Sequence, residues 1–398
     1  MFCYSVEQLR SNPALDASQR ALESILHSID VAGDFEDSLS SSVLPHTTSK
    51  GTWVAIKLST LLLDTELDHT RNALWALSEW IVRKHHNTSS RIDANVTPFP
   101  GVPAAQDFQL FLDQVQLNDV DEAQHIQPLV GLYSNLRKIC TRAQARGIRV
   151  TIDAEETWLQ PAIDLYSILL MQEFNSFRLH DARSLEARPL IHDKVDPTIP
   201  VPQPLVYTTL QAYLVRAPAF LEFLLAHARE NEYALGVKLV RGAYVDAEVA
   251  EHAHAAAHSA SQSSSPSAEM VTLKGSSKSI SPDQHPPTYP SKEATDAAYD
   301  ACARVLVEEV ARDVERGPVH SGTGVVPRIA VLFGTHNWRS VRLVLDEILR
   351  LGLAEEVVDS NKVEGKKDGS NPEKKLVLSE EVRQRISMAQ LYGEYTVL

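Results

Sequence analysis

Short runs of apolar residues alternate along the chain with longer segments in which apolar residues recur every three or four positions. The short runs predict β-strands, and the longer segments predict amphipathic helices. Strands are predicted at residues 2–6, 53–58, 148–152, 205–210, 235–240, 329–333 and 386–391. The clearest helices are predicted at residues 66–84, 120–146, 160–177, 217–233, 293–316 and 339–351. This alternation is typical of a parallel sheet with crossover helices.

Polar side chains gather where the predicted strands end. They are Glu7, Lys57, Asp153, Gln211, Arg241, Tyr244, Thr335, His336, Asn337 and Gln390. In a (β/α)8 barrel all strands end on one face, and the active site is built there. We therefore expect an α/β fold, a TIM-type (β/α)8 barrel forming a single domain over residues 1–398. A doubly wound open sheet is the alternative, but it usually carries a G-x-G-x-x-G turn, which this sequence lacks.

Two segments inside this pattern are too polar to fold by burying apolar surface. Residues 258–291 are dominated by Ser, Pro and Lys, and residues 359–375 by Lys, Gly, Asp and Asn. Such compositions are typical of disordered chain. We expect both segments to be disordered insertions in the barrel.

Composition excludes several classes of function. The 398 residues carry a net charge of -14, which argues against nucleic acid as a partner because phosphate binding needs clustered cations. The sequence has no apolar run long enough to span a bilayer, so we expect no transmembrane segment. The three cysteines are far apart, and the histidines at 252, 254 and 258 lie in a polar tract, so we expect no metal site.

Three of the polar positions are candidates for chemistry. Asp153 follows a strand directly, where it would point into the barrel mouth, whereas Glu155 and Glu156 are expected to begin the next helix. Lys57 closes an apolar strand and is either paired with Glu7 or a Schiff-base lysine. Residues 237–244, VKLVRGAY, place two cations in a strand that breaks at a glycine, which is typical of a ligand site. A salt-bridged strand end is the structural alternative for this stretch.

Taken in chain order, these stretches resemble the motif series of proline dehydrogenase, in its eukaryotic mitochondrial form. The matching motifs are YSVE at 4–7, IKLS at 56–59, IDAEE at 152–156, LQAY at 210–213, KLVRGAY at 238–244, THN at 335–337 and AQLYG at 389–393. The resemblance implies a distorted barrel that holds FAD and oxidises L-proline to pyrroline-5-carboxylate. A hydride would pass from proline C5 to flavin N5, and the electrons would go to a membrane quinone. It also implies a mitochondrial location.

The resemblance also implies roles for individual residues. The proline pocket would consist of Lys57, Asp153, Tyr244 and Leu391, with Asp153 facing the substrate amine. The flavin ring would lie near Gln211 and Lys238, and the cofactor phosphates near Arg241, Gly242 and Ala243, assisted by Lys292 and Thr295. More remote parts of FAD would contact Thr335, His336, Asn337 and Gln390.

The end of the chain departs from the family pattern. After residue 393 the family continues through an eighth strand and a helix with an Arg-Arg pair that clamps the proline carboxylate, whereas this chain has five more residues. We therefore expect an incomplete barrel and a natural start that lies upstream. Two alternatives to an active proline dehydrogenase stay open at this point. They are a catalytically impaired, truncated relative and an aldolase-type barrel in which Lys57 forms a Schiff base.

Overall fold

The structure, a computed structural model, describes residues 2–3, 17–40, 51–62, 69–88, 97–118, 120–177, 204–261, 278–317, 319–321, 324–358 and 374–391. Strands run in chain order as β1 Phe2–Cys3, β2 Trp53–Ile56, β3 Arg149–Ile152, β4 Val206–Gln211, β5 Leu235–Val240, β6 Val319–Ser321, β7 Gly324–Val326, β8 Ile329–Gly334, β9 Ala354–Val358, β10 Lys374–Leu378 and β11 Ile386–Ala389. Each sequence-predicted strand thus overlaps a strand of the structure, and β4 and β8 run one residue past the predicted ends.

Helices lie between these strands. They are α1 Ala17–Ser40, α2 His69–Thr88, α3 Asp107–Asn118, α4 Val120–Arg146, α5 Gln160–Phe174, α6 Ala217–Glu230, α7 Val245–Ser261, α8 Lys292–Arg316, α9 Trp338–Arg350 and α10 Glu380–Arg385. A short 3-10 helix, Leu58–Leu62, directly follows β2. Across the described ranges, no helix is both long and apolar enough to cross a membrane.

The order of the strands in the sheet identifies the architecture. Seven strands pair in parallel in the order β1-β2-β3-β4-β5-β8-β11, which is also their order along the chain. A doubly wound sheet would reverse direction at its centre, so this order excludes that alternative. The α/β fold is a distorted, incomplete (β/α)8-type barrel, with β1 and β11 at the two ends of the described sheet.

Neighbouring side chains on β2, β4 and β8 belong to two separate apolar clusters. The larger cluster contains residues such as Val54, Val150 and Val237 and packs under the helices. The smaller cluster consists of Trp53, Tyr207, Ala330 and Leu332, joined by the partly buried Ala389. Because its members come from four strands and avoid the helical core, this smaller cluster marks the inner face of the barrel.

The expectation of disorder at 258–291 is wrong at both ends of the segment. Residues up to Ser261 belong to α7, and residues 278–291 lead into α8. The Val215 N–H donates to the Pro287 carbonyl, the Tyr289 N–H donates to the Tyr213 carbonyl, and Leu214 forms a bridge with Thr288. Backbone hydrogen bonds order this stretch, and composition does not reveal them. Residues 262–277 lie outside the described residues.

The expectation for 359–375 is wrong at its last two residues. Lys374 and Lys375 begin β10, which pairs antiparallel with β9 and forms a hairpin after α9. Pairing with β9 orders both residues, although the Lys375 side chain is exposed. Residues 359–373 lie outside the described residues. That the chain forms a single domain stays a prediction.

Candidate active site

Asp153 follows strand β3, and its carboxylate contacts the ammonium group of Lys238 on β5. Asp153 Oδ1 lies 2.6 Å from Lys238 Nζ, and the side chains are only 15% and 13% exposed. The Thr151 hydroxyl donates a longer hydrogen bond, of 3.4 Å, to the same Oδ1. Limited access of water strengthens such a pair relative to one on the surface. Asp153, which the family resemblance assigns to the proline pocket, and Lys238, which it assigns to the flavin ring, are therefore in direct contact.

The register of the sheet explains why they meet. The Asp153 N–H continues the ladder by donating to the Ile56 carbonyl at 2.8 Å, so Lys57 follows in the neighbouring position. On the other side, the β3–β4 register puts Thr209 opposite Asp153, and Thr209 pairs with Lys238. Lys57, Asp153, Thr209 and Lys238 thus lie in one row across the carboxyl end of the sheet, which we call the mouth. Glu7, the expected partner of Lys57, lies outside the described residues.

Gln211 is buried and connects the end of β4 with the loop that follows β3. Its Nε2 donates to the Glu155 carbonyl at 2.9 Å. Glu155 and Glu156 do not begin a helix as expected, because α5 begins only at Gln160. They belong instead to the loop that follows Asp153, where Glu155 is 3% exposed. Burial of Glu155 is a feature that the sequence reasoning missed.

Gly242 allows the chain to turn sharply after β5. Its φ of +117° is strained for other residues, and a Cβ atom there would lie 1.7 Å from Tyr213 Cδ1. The Tyr213 ring therefore packs directly on the glycine. Ala243 is exposed beyond this turn, and Tyr244 is half-buried at the start of α7. The backbone at Gly242 and Ala243 is thus accessible at the rim of the mouth.

Arg241 binds three elements at once, on the side of the mouth away from Asp153. Its Nε lies 2.5 Å from Asp296 Oδ1 on α8, and its Nη atoms donate to the Thr335 hydroxyl at 2.7 Å and to the Ser340 hydroxyl at 2.8 Å. The guanidinium also lies over the Tyr299 ring, 4.3 Å from its centroid. Sequence reasoning missed Asp296, Ser340 and Tyr299, since their helices give no sign of facing a strand end.

Asp296 is shared by two cations of the predicted cofactor site. Lys292 Nζ lies 2.8 Å from its Oδ2, one helical turn away on α8. Burial raises the pKa of Asp296, but the hydrogen bonds from Lys292 and Arg241 outweigh it and hold that pKa below its ordinary value. Thr295 lies in the same first turn of α8 and is half-buried. Asp296 thus joins Lys292 to Arg241, and the cofactor roles of Lys292 and Thr295 remain predictions.

Of the three residues that follow β8, Thr335 and Asn337 form hydrogen bonds at the start of α9, and His336 contacts the end of β11. The Thr335 hydroxyl accepts from the Asn337 N–H at 3.0 Å, and Asn337 Oδ1 accepts from the Arg339 N–H at 2.9 Å. Asn337 is therefore the N-cap of α9. His336 Nε2 accepts from the Leu391 N–H at 3.0 Å, which joins the loop after β8 to the end of β11.

Gln390 and Leu391 are exposed at the end of β11, Leu391 by 62%. The described contacts thus bring His336 and Leu391 together and place Gln390 beside them. They do not connect these three residues with the Asp153–Lys238 pair. The proline-pocket role of Leu391 and the cofactor role of Gln390 remain predictions.

A buried carboxylate near the mouth was not singled out from the sequence. Glu248 on α7 is 2% exposed; one oxygen accepts from the Thr157 N–H at 2.6 Å, and the other accepts from the Thr157 hydroxyl. Burial raises the pKa of Glu248 to about 7, with a smaller contribution from the nearby charge of Glu156 and in opposition to the bonds from Thr157. An acidic residue in the first turn of a helix is ordinarily explained by the helix dipole, so its sequence gives no other signal.

The described ranges contain no group of three or more His, Cys, Asp or Glu side chains arranged to hold a metal ion. The mouth instead offers cations, one accessible turn of backbone and the amino end of a 25-residue helix, α8, whose N-cap is Ser291. Cations and a helix amino end bind anionic groups such as phosphate. The arrangement is suited to an anionic ligand rather than to a metal.

Comparison with known proteins identifies the family. A family model described as proline dehydrogenase matches residues 4–264 and 278–368. The chain belongs to the proline dehydrogenase family. The family assignment made from the ordered motifs is thus confirmed. The fold expected from it agrees with the sequential parallel sheet.

Curated members of the family are distant relatives. The mitochondrial proline dehydrogenase 2 of Arabidopsis thaliana is 24% identical over 72% of this chain and 46% of its own length. The mitochondrial proline dehydrogenase 1 of Homo sapiens is 25% identical over 63% of this chain and 30% of its own length. A hydroxyproline dehydrogenase of Bos taurus is 27% identical over 60% and 38%. The chain therefore spans less than half the length of these relatives.

Solved structures with a similar backbone belong to proline utilization A. That of Bdellovibrio bacteriovorus, titled as inactivated by N-propargylglycine, has a TM-score of 0.48 with 14% identity, covering 86% of this chain and 24% of its own. The Bradyrhizobium japonicum D779Y mutant has a TM-score of 0.43 with 20% identity, covering 85% and 22%. Scores at this level add nothing to the fold, which stands on the sheet order.

Proposed function

We propose that this protein oxidises L-proline to pyrroline-5-carboxylate with FAD as its cofactor. The observation that carries the proposal is the row at the mouth, in which Asp153 lies between the cations Lys57 and Lys238. Proline carries one ammonium and one carboxylate, so a binding site for it needs charges of both signs at short range. The family match supports the same reaction.

In this proposal the substrate binds by charge and by shape. Asp153 accepts a hydrogen bond from the substrate amine, and Lys57 faces the substrate carboxylate. Among the described residues both side-chain contacts of Asp153 are to Oδ1. A carboxylate can accept about four hydrogen bonds, so Oδ2 can take a further donor while Lys238 stays in place. Tyr244 and Leu391 supply apolar surface for the ring.

The residues on the far side of the mouth fit FAD. Arg241 and Lys292 lie together at the amino end of α8, and Gly242 and Ala243 present accessible backbone beside them. Such a set suits a diphosphate. Lys238 and Gln211 lie towards the flavin in this arrangement, and Thr335, His336, Asn337 and Gln390 lie towards the rest of the cofactor. Thr295 belongs to the α8 turn that faces the phosphates.

The oxidation converts the C5–N single bond of proline into a double bond. Proline binds as the ammonium and first releases one N–H proton to water, because the nitrogen lone pair must form the new bond as the hydride leaves C5. The iminium that results releases its remaining N–H proton to water and gives the imine of pyrroline-5-carboxylate. FAD, when bound, supplies the hydride acceptor at flavin N5. Asp153 orients the nitrogen, and the partly buried row keeps water away from C5. We further propose a quinone as the electron acceptor and a mitochondrial location, as in the names of several relatives.

The decisive experiment compares spectra and turnover of the purified protein. We expect flavin absorption, its bleaching by L-proline under anaerobic conditions, and proline-dependent reduction of a dye. D153N, which keeps the shape but removes the charge, should retain flavin and lose at least about tenfold in turnover at low proline. If the protein lacks flavin, and borohydride traps a Schiff base between Lys57 and a carbonyl substrate, the protein is an aldolase-type barrel and this proposal is wrong.

Hydroxyproline is the second candidate substrate. Relatives named hydroxyproline dehydrogenase match at 25–27% identity, the same range as the proline dehydrogenases at 24–28%. The two substrates differ by one ring hydroxyl, so identity at this level does not separate them. Trans-4-hydroxy-L-proline should therefore be assayed beside L-proline. A higher kcat/KM for hydroxyproline would revise the substrate and leave the flavin chemistry intact.

A further inference from the structure

Glu155 bonds to three different elements through its Oε1, its N–H and its carbonyl. Its Oε1 accepts from the Ser59 N–H at 3.0 Å, in the 3-10 helix that directly follows Lys57. Its own N–H donates to Gln160 Oε1 at 2.9 Å, at the start of α5. Its carbonyl accepts from Gln211 Nε2 at 2.9 Å, at the end of β4. One buried residue therefore joins the chain after β2, the end of β4 and the beginning of α5.

The residues bonded by Glu155 adjoin the two charged side chains of the proposed substrate pocket. Lys57 is two residues before Ser59, and its carbonyl accepts from the Thr60 N–H at 3.2 Å and from the Thr60 hydroxyl at 2.7 Å. Asp153 is two residues before Glu155. The Ser59–Glu155 bond thus closes a short bridge between the loops that carry Lys57 and Asp153.

The other end of this bridge is itself fixed. Gln160 Nε2 donates to Asp164 Oδ1 at 2.8 Å, and Asp164 Oδ2 lies 2.6 Å from Arg216 Nη2 in an ion pair that is almost wholly buried. The Glu155 backbone is therefore held against a rigid support between α5 and the start of α6. A bond from such a support limits the movement of the loop that it reaches.

We propose that Glu155 is a positioning residue that holds Lys57 and Asp153 at a fixed separation, an inference that rests on the proposed proline oxidation. A substrate with an ammonium and a carboxylate on the same carbon atom needs two opposite charges at a set distance. Loss of the bridge therefore weakens proline binding, although Glu155 does not contact the substrate itself. FAD retention should stay unchanged, because a substitution of the Glu155 side chain leaves its carbonyl, and with it the bond from Gln211, in place, and Arg241 and Lys292 face the cofactor phosphates at the far side of the mouth.

The first test measures the bridge without any turnover. Hydrogen–deuterium exchange, resolved to the peptide around Ser59, is compared among parent, E155A and E155Q. E155A removes the acceptor of the Ser59 N–H and should speed exchange there by about tenfold, as loss of a charge-assisted hydrogen bond would. E155Q keeps a carbonyl oxygen at the same place and should restore slow exchange. Equal exchange at Ser59 in parent and E155A overturns the proposal.

The second test separates positioning from general loss of stability. E155A should raise the KM for proline by about tenfold with the flavin content of the parent, and E155Q should restore most of the affinity. The matched control is E173A, which removes a carboxylate that bonds Arg137 at 2.9 and 3.0 Å between α4 and α5, away from the mouth. E173A should lower stability and leave KM unchanged.

These outcomes distinguish the inference from the proposed function. A parent protein without proline-dependent flavin bleaching contradicts the proposed function, and the exchange experiment then decides whether Glu155 forms the bridge. An active parent with the same KM in E155A contradicts the positioning role. A KM that rises equally in E173A and E155A also contradicts it, because the effect would then reflect stability alone.

Discussion

Replacement of Glu248 by Gln should make the folded protein more stable at pH 8 and leave its stability near pH 4.5 unchanged. Burial moves the pKa of Glu248 from 4.5 to about 7. Each unit of pKa corresponds to about 1.4 kcal/mol, so ionised Glu248 costs the folded state about 3 kcal/mol. An acid with a raised pKa in the folded state makes the protein less stable as pH rises from about 4.5 to 7. Above about pH 7 this loss stays constant.

A glutamine removes the charge and keeps both contacts with Thr157. Its carbonyl oxygen accepts from the Thr157 N–H, and its amide donates to the Thr157 hydroxyl, which can also accept. The shape of the site is therefore kept, and the advantage of E248Q over the parent should grow from near zero at pH 4.5 to about 3 kcal/mol at pH 8. Side-chain packing alone would give the same difference at every pH.

Urea unfolding followed by circular dichroism at pH 5, 6, 7 and 8 measures this difference directly. The control is E79Q on α2, where Glu79 forms a surface ion pair with Arg83 that should contribute little at any pH. Subtraction of the parent from each variant cancels the titration of the other groups. An E248Q advantage that does not change between pH 5 and 8 would refute the raised pKa.

Three further perturbations have expected outcomes. G242A should lower the free energy of unfolding in urea by about 3 kcal/mol, because the alanine Cβ would collide with the Tyr213 ring at a positive φ. The control G131A in α4, where a Cβ would have no neighbour within 4 Å, should raise that free energy by up to about 1 kcal/mol. Equal effects of the two substitutions would contradict the clash. R385M should lower the free energy of unfolding by about 3 kcal/mol, because Arg385 and Asp313 form a buried ion pair with an Nε–Oδ2 distance of 2.9 Å. An unchanged stability would show that the second ion pair of Asp313, with Arg328, is sufficient. T335V removes an acceptor of Arg241 and should raise the dissociation constant of FAD several-fold in equilibrium dialysis; unchanged retention would remove Thr335 from the cofactor site.

The sequence predicted the sheet well because buried parallel strands are nearly continuous apolar runs and its helices have clear periodicity. Helix α4 has the bounds that the periodicity predicted, residues 120–146. The ordered stretch 278–291 could not be predicted in this way. It is held by backbone hydrogen bonds to residues 213–215, and such bonds leave no trace in composition.

The candidate site was predicted only in part for a related reason. The end of β3 predicted that Asp153 points into the mouth, but its contact with Lys238 depends on the stagger between strands, which no single strand encodes. Glu155 and Glu248 were missed because carboxylates that follow a strand or begin a helix are usually solvated. Their burial results from loops that pack above the sheet. Loop packing is the part of this site that local sequence does not specify.

The stretch Lys238–Arg241 shows how one strand serves two parts of the site. Side chains three positions apart on a strand point to opposite faces, so Lys238 faces the inside of the barrel while Arg241 turns towards the helices. Lys238 accordingly contacts Asp153 from the inner row, and Arg241 contacts Asp296 on α8 and Ser340 on α9. A strand that carried both cations on one face would place two like charges side by side. The alternation instead separates the Asp153–Lys238 pair inside the mouth from the Arg241–Asp296 pair at its rim, which is the division that the proposed binding of proline and FAD requires.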